Sequence, residues 1–239
     1  MTAIEINSTY YGMQKPATFA KWRDATPDGF MFSLKASRYA TNRRVLAEAG
    51  DSIARFVDSG IVELGEKLGP IVWQFAPAKR FDPEDFEAFL SLLPEKVDGR
   101  PLRHVVDVRH QSFMTPAFLA LARRYRVAST FTDSGDYPSF ADPTADFIYA
   151  RLMRSAATIA TGYTPAALQA WKDRALAWAE GRQPERLPLI EPAQAHQAGG
   201  RDVFLYFING AKEKAPAAAQ DLLRRLGFAP LAWPPLENK

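Results

Sequence analysis

This chain contains no cysteine. That excludes disulfides, a cysteine nucleophile, and thiolate-held zinc or iron–sulfur centres. Histidine is nearly as scarce: among 239 residues only His104, His110 and His196 occur. Multi-zinc chemistry built on histidine and carboxylate clusters therefore has too few ligands. The apolar runs are too short to span a bilayer, and the segment after Met1 lacks the basic-then-apolar pattern of a secretory leader. No membrane association is expected, and a cytoplasmic location is. Charge of one sign is barely in excess, with 30 Lys and Arg against 27 Asp and Glu. So small a surplus does not call for nucleic acid as a partner. There is no Gly-rich phosphate loop, Gly-x-Ser-x-Gly elbow or dinucleotide fingerprint.

What the chain does have is a repeated pattern. Seven hydrophobic runs each end on a polar residue: Ile4-Glu5-Ile6-Asn7, Phe32-Ser33-Leu34-Lys35, Ile71-Val72-Trp73-Gln74, Val106-Asp107-Val108-Arg109, Thr130-Phe131-Thr132-Asp133, Ile148-Tyr149-Ala150-Arg151 and Tyr206-Phe207-Ile208-Asn209. Helix-like stretches separate them. Strands alternating with helices run parallel, because each crossover helix returns the chain to the same edge. The expected fold is an α/β barrel of the TIM type, in which working residues sit at the C-terminal strand ends. A chain of 239 residues suits one such domain, and a single domain over residues 1–239 is expected.

Local signals set several boundaries. Thr115-Pro116 and Thr164-Pro165 each place a capping hydroxyl before a proline at the first helical position, and Asp82-Pro83 repeats the device. The apolar positions between residues 43 and 68 follow helical spacing, with Gly50, Gly60 and Gly65 expected to break or bend the segment. Leu68-Gly69-Pro70 is expected to lead into a strand at Ile71. Residues 182–200 read as a loop or helix extension, and the Pro-rich tail from Pro230 to Lys239 as a surface segment.

Side chains alternate across a strand, and the helix-covered face of a barrel strand must be apolar. This parity turns Glu5, Asn7, Ser33, Lys35, Gln74, Asp107, Arg109, Asp133, Tyr149, Arg151, Phe207 and Asn209 inward, and puts Ile4 and Ile6 under helices. The polar members form a candidate pocket for a small polar or anionic ligand resembling a sugar phosphate. Glu5 and Asp107 are the candidate acid–base pair. Asn7, Lys35, Gln74, Arg109, Asp133, Arg151 and Asn209 are the candidate ligand contacts. Buried charges can instead neutralise one another and fill the barrel top. No metal is assigned, although Glu5, Asp107 and Asp133 are the set that could hold a single Mg²⁺. Ser8 and Ser112 have no adjacent histidine base in the sequence, so serine nucleophile chemistry is unsupported. A nucleic-acid-binding barrel and a non-catalytic scaffold completed at an open strand edge are the alternatives.

Glu5-Ile6-Asn7-Ser8-Thr9-Tyr10-Tyr11 resembles the Glu-(hydrophobic)-Asn-(Ser/Thr)-(Ser/Thr)-(aromatic)-Tyr signature of the YecE-like family, a domain of unknown function. Pro16, Trp22, Thr26-Pro27, Phe30, Lys35, Leu68-Gly69-Pro70-Ile71, Gln74, Arg109-His110, Ser112-Phe113, Asp133, Tyr149-Ala150-Arg151-Leu152, Tyr206-Phe207 and Asn209 extend the resemblance along the chain. It implies a TIM-type barrel and supplies no reaction. Family members usually begin with a further strand and helix before the Glu-Ile-Asn motif; seven strands are counted here, which fits either a start lying upstream of Met1 or a trimmed barrel with a gap beside the strand at residues 4–7. Two more departures from the resemblance are Met153-Arg154, where many relatives carry His-Gly, and Ala217-Ala218, in place of an Asn-Ala pair common in the last helix.

Overall fold

In the computed structural model, residues 1–192, 199–229, 231 and 233 are described. Nine strands occur among them: β1 (Ala3–Ile6), β2 (Met31–Lys35), β3 (Leu68–Gln74), β4 (Lys96–Val97), β5 (Arg100–Pro101), β6 (His104–Asp107), β7 (Ala128–Thr132), β8 (Phe147–Leu152) and β9 (Asp202–Phe207). Eight α-helices accompany them: α1 (Ser8–Tyr11), α2 (Pro16–Asp24), α3 (Arg38–Thr41), α4 (Gly50–Val57), α5 (Pro83–Ser91), α6 (Pro116–Arg124), α7 (Pro165–Ala179) and α8 (Ala215–Arg225). Seven strands share one sheet in the order β1-β2-β3-β6-β7-β8-β9. Its register pairs β1 with β2, β2 with β3, β6 with β7, β7 with β8 and β8 with β9, all parallel. This is the strand order of a TIM-type α/β barrel, and the seven strands are the seven runs expected from the sequence.

The chain packs as two compact units. Among the described residues, one comprises residues 1–74, 84–104, 231 and 233; the other comprises residues 75–83, 105–192 and 199–229.

In the first unit, the segment between residues 43 and 68 is not one helix. It is a short 3-10 turn (Leu46–Glu48), α4, and a second 3-10 stretch (Ile61–Lys67). The expected breaks are where the glycines are: Gly60 and Gly65 both take positive φ, at 100° and 58°. The strand then begins at Leu68, three residues earlier than expected, and its pairing with β2 shifts register between Phe32 and Leu34. Gly69 explains how: a Cβ there would lie 3.0 Å from the Phe32 carbonyl oxygen, so only glycine lets the two backbones meet. The β4–β5 hairpin was not expected. Its turn, Asp98-Gly99, has positive φ at both residues (47° and 76°), the geometry that Asp-Gly favours in two-residue hairpins. The core of this unit centres on Trp73, fully buried between the rings of Phe56 and Phe89. Trp22 stacks on Phe32. Ile4, expected under helices, is 41% exposed, because β1 ends the strand order and has a paired neighbour on one side only.

In the second unit, Thr115 accepts from the Phe118 amide and Thr164 from the Ala167 amide, so both expected caps form. Gly227, at φ 80°, follows α8 as a helix stop. One apolar layer joins Phe131, Ile148, Ala150, Leu152 and Phe207 to Trp171 and Trp178 of α7 and Leu222 of α8. Tyr149 lies on the opposite face of β8, with its ring against Phe204 and Tyr206 of β9. No described helix is long and apolar enough to cross a membrane.

Candidate functional site

The second unit carries the densest charged cluster among the sequence-predicted residues. Asp107 closes β6, and Arg151 lies one residue before the end of β8. Both are buried, at 4% and 5% exposure. Arg151 Nη1 donates to Asp107 Oδ2 at 2.5 Å. Arg109 reaches the same oxygen through Nη2 at 3.0 Å and Nε at 3.3 Å. Two guanidinium groups therefore converge on one carboxylate oxygen. The Arg109 guanidinium also lies 4.4 Å from the Tyr137 ring centre, and its Nη1 donates to the Tyr137 hydroxyl at 3.3 Å. The period-two alternation accounts for the arrangement: Arg151 shares the Tyr149 face of β8, while Ala150 and Leu152 take the helix-packed face.

Asp133 departs from the expected inward set. It continues the face of Phe131, which belongs to the helix-packed layer. Its Oδ1 accepts from the Met153 amide at 2.5 Å and its Oδ2 from the Tyr163 hydroxyl at 3.0 Å. Burial pushes the Asp133 carboxyl above the ordinary carboxylate range, against the opposing pull of those two donors and the Arg154 charge. Burial, reinforced by the Asp133 charge, also raises the Tyr163 phenol. Both Asp133 oxygens are thus engaged by the Met153 amide and the Tyr163 hydroxyl. Among the described residues, no group of three or more His, Asp or Glu side chains is placed to hold a metal ion. Phe207, also expected inward, packs against Tyr163 in the helix-packed layer. The reason is register: Leu152 pairs with Phe207, and both take the outer face. Asn209 is exposed, in left-handed backbone at φ 68°, a conformation asparagine tolerates.

In the first unit, Lys35 ends β2 and is 6% exposed. Its Nζ donates to Asn7 Oδ1 at 2.9 Å and lies 4.1 Å from the Tyr10 ring centre. Thr9 ties the same corner by donating to the Lys35 carbonyl oxygen at 2.7 Å. The family signature after β1 is thus a short helical turn that wraps the end of β2. Glu5 is half-buried within β1, and Gln74 ends β3.

The histidines divide differently. His104 is buried, with Nδ1 accepting from the Trp73 indole and Nε2 near the Pro94 carbonyl oxygen. His110 is not apart from serine, as its sequence position suggested. Its Nδ1 lies 2.8 Å from Ser112 Oγ and 3.1 Å from the Ser112 amide. The 3-10 turn Gln111–Phe113 brings positions 110 and 112 together. Ser112 Oγ also accepts from the Phe81 amide at 2.8 Å. This is a cap and loop anchor, and a hydroxyl so tied is poorly placed to attack. His196 lies outside the described residues.

The model of the DUF72 family, proteins of unknown function, matches residues 1–238. The chain belongs to the DUF72 family. Over 113 residues it is 29% identical to the UPF0759 protein YecE of Escherichia coli, a match covering 46% of this chain and 39% of YecE. The chain thus spans about two fifths of the length of the curated relative it matches. Two solved DUF72 structures share the fold at low identity. One, from Enterococcus faecalis, is 17% identical with a TM-score of 0.70, covering 96% of this chain and 91% of that one. The other, from Thermotoga maritima, is 17% identical with a TM-score of 0.68, covering 95% of this chain and 85% of that one.

Proposed function

We propose that this DUF72 protein binds a small polar anion, of the charge and size of a sugar phosphate, through Arg109 and Arg151 at the C-terminal ends of the strands. Asp107 is proposed as an acid–base group at that position. One observation carries the reading: the single Asp107 oxygen that receives both guanidinium groups. Arginine presents a rigid fork of donors that matches phosphate and carboxylate oxygens. Fixing two such forks before a ligand arrives removes much of the ordering cost of binding. Within the first unit, Glu5 is proposed separately for acid–base work and Asn7, Lys35 and Gln74 as ligand contacts, each at or near a strand end. Asn209 is proposed as a further contact in the second unit.

Calorimetric titration of the full chain with inorganic phosphate and a hexose phosphate tests this. Binding should weaken at least roughly tenfold in Arg109→Met, a variant whose side chain is partly accessible and whose fold circular dichroism can verify. Crystals soaked in phosphate should hold an anion at Arg109 and Arg151. A site left empty in saturating phosphate, or equal affinity in Arg109→Met, removes the proposal. Tight binding to oligonucleotides that falls steeply with salt would favour the nucleic-acid alternative.

A further inference from the structure

A cavity in the second unit stands on the helix side of the sheet, and its lining does not include the Asp107 cluster. It has a volume of about 510 Å³ and lies among Phe131, Ile159, Trp171, Leu187 and Pro188, which make its walls largely apolar. Its charged lining residues are Asp133, Arg154 and Arg174.

The two arginines are the informative pair. The half-buried Arg174 guanidinium stacks over the Trp171 ring, 4.4 Å from its centre. Arg154 lies across the groove above Gly135, where a Cβ would come within 3.3 Å of Arg154 Nη2. Among the described residues, neither guanidinium has a hydrogen-bond acceptor. The acid between them is already occupied: both Asp133 oxygens accept, from the Met153 amide and the Tyr163 hydroxyl. Tyr163 is held in turn, its hydroxyl accepting from the Arg154 amide at 2.8 Å. The groove therefore offers one half-buried guanidinium, Arg174, and one exposed guanidinium, Arg154, over an apolar floor, with a formal surplus of one positive charge.

We propose that this groove binds a small organic carboxylate with a flat apolar body, its anionic end on Arg174 and Arg154 and its body against Trp171, Leu187 and Pro188. A planar carboxylate matches the guanidinium fork, while a cavity of this volume and apolar lining suits a drug-sized molecule better than a bare inorganic ion.

The test uses the full chain and benzoate as the probe, with benzamide as the neutral shape match and inorganic phosphate as the anion without an apolar body. Calorimetry should register benzoate binding, with benzamide weaker by roughly tenfold or more. Arg174→Gln, at a half-buried surface position, should reduce benzoate affinity by at least roughly tenfold and Arg154→Gln by less. Arg109→Met should leave benzoate binding unchanged, which separates this groove from the proposed phosphate site. Equal affinity for benzamide, full binding by Arg174→Gln, loss of binding in Arg109→Met, or no benzoate binding at about 10 mM would each overturn the assignment. If phosphate matches benzoate and Arg174→Gln weakens both equally, the groove is a plain anion site and the apolar-body claim fails.

Discussion

The Trp73 indole N–H donates to His104 Nδ1 at 3.1 Å, deep in the first unit. Because Nδ1 accepts, the proton of neutral His104 resides on Nε2, which donates to the Pro94 carbonyl oxygen at 2.8 Å. One bond fixes a tautomer, and the tautomer ties β6 to the end of the α5 segment.

Burial lowers the His104 pKa below its ordinary value. The unfolded chain therefore takes up a proton near pH 6.5 that the folded chain resists. The stability due to His104 is complete above that pH and is lost as pH falls through and below it. His104→Gln lacks this titration. Urea midpoints measured between about pH 7 and pH 5 should fall more steeply for the wild type than for the variant; parallel curves would contradict the assignment.

Removing the Asp107 charge leaves two buried guanidinium groups facing a neutral amide in place of the carboxylate they share. Breaking a buried ion pair costs on the order of 3 kcal/mol. Asp107→Asn should lower unfolding free energy by about that amount in chemical denaturation. The exposed Arg23–Asp24 pair provides the contrast: Asp24→Ala should move the midpoint little, since a solvated surface pair contributes little.

Asp133 titrates in the opposite sense to His104. Its folded pKa is raised, so the stability it contributes is complete below the unfolded carboxylate value of about 3.9 and is lost as pH rises through the folded value. Asp133→Asn retains an acceptor for the Met153 amide and removes the charge. The stability of the wild type relative to this variant should decline as pH rises from about 3.5, read from denaturation midpoints. A difference that stays flat with pH would show that burial does not govern this carboxyl.

Gly60 opens the 3-10 stretch after α4 at φ 100°, and a Cβ there would sit 2.7 to 2.8 Å from Pro16 at the start of α2. Gly60→Ala meets both a backbone penalty and a clash. It should cost about 2 kcal/mol or more in denaturation free energy. Gly99→Ala, with positive φ and open space around its Cβ position, should cost less.

Much of the architecture was legible along the chain. The seven strands, the Thr115 and Thr164 caps and the glycine breaks near residues 60 and 65 all follow from short-range rules of alternation, capping and φ. The inward turn of Arg151 and the outward turn of Leu152 followed from parity. The β4–β5 hairpin was also available, in Asp98-Gly99. Parity failed at Asp133 and Phe207, where the strand ends are polar or mixed and the apolar face cannot be read from a few residues. The contact between His110 and Ser112 needed the 3-10 turn that brings them together.

Local pattern set the seven sheet strands, their parallel direction and the capped helices, because hydrophobic period, caps and glycines act over a few residues. Tertiary structure alone decided what each polar strand end meets: two arginines for Asp107, a tyrosine and an amide for Asp133, asparagine and tyrosine for Lys35. Such partners come from different strands and loops, so their choice depends on register and packing between segments far apart in the chain, which local pattern does not encode.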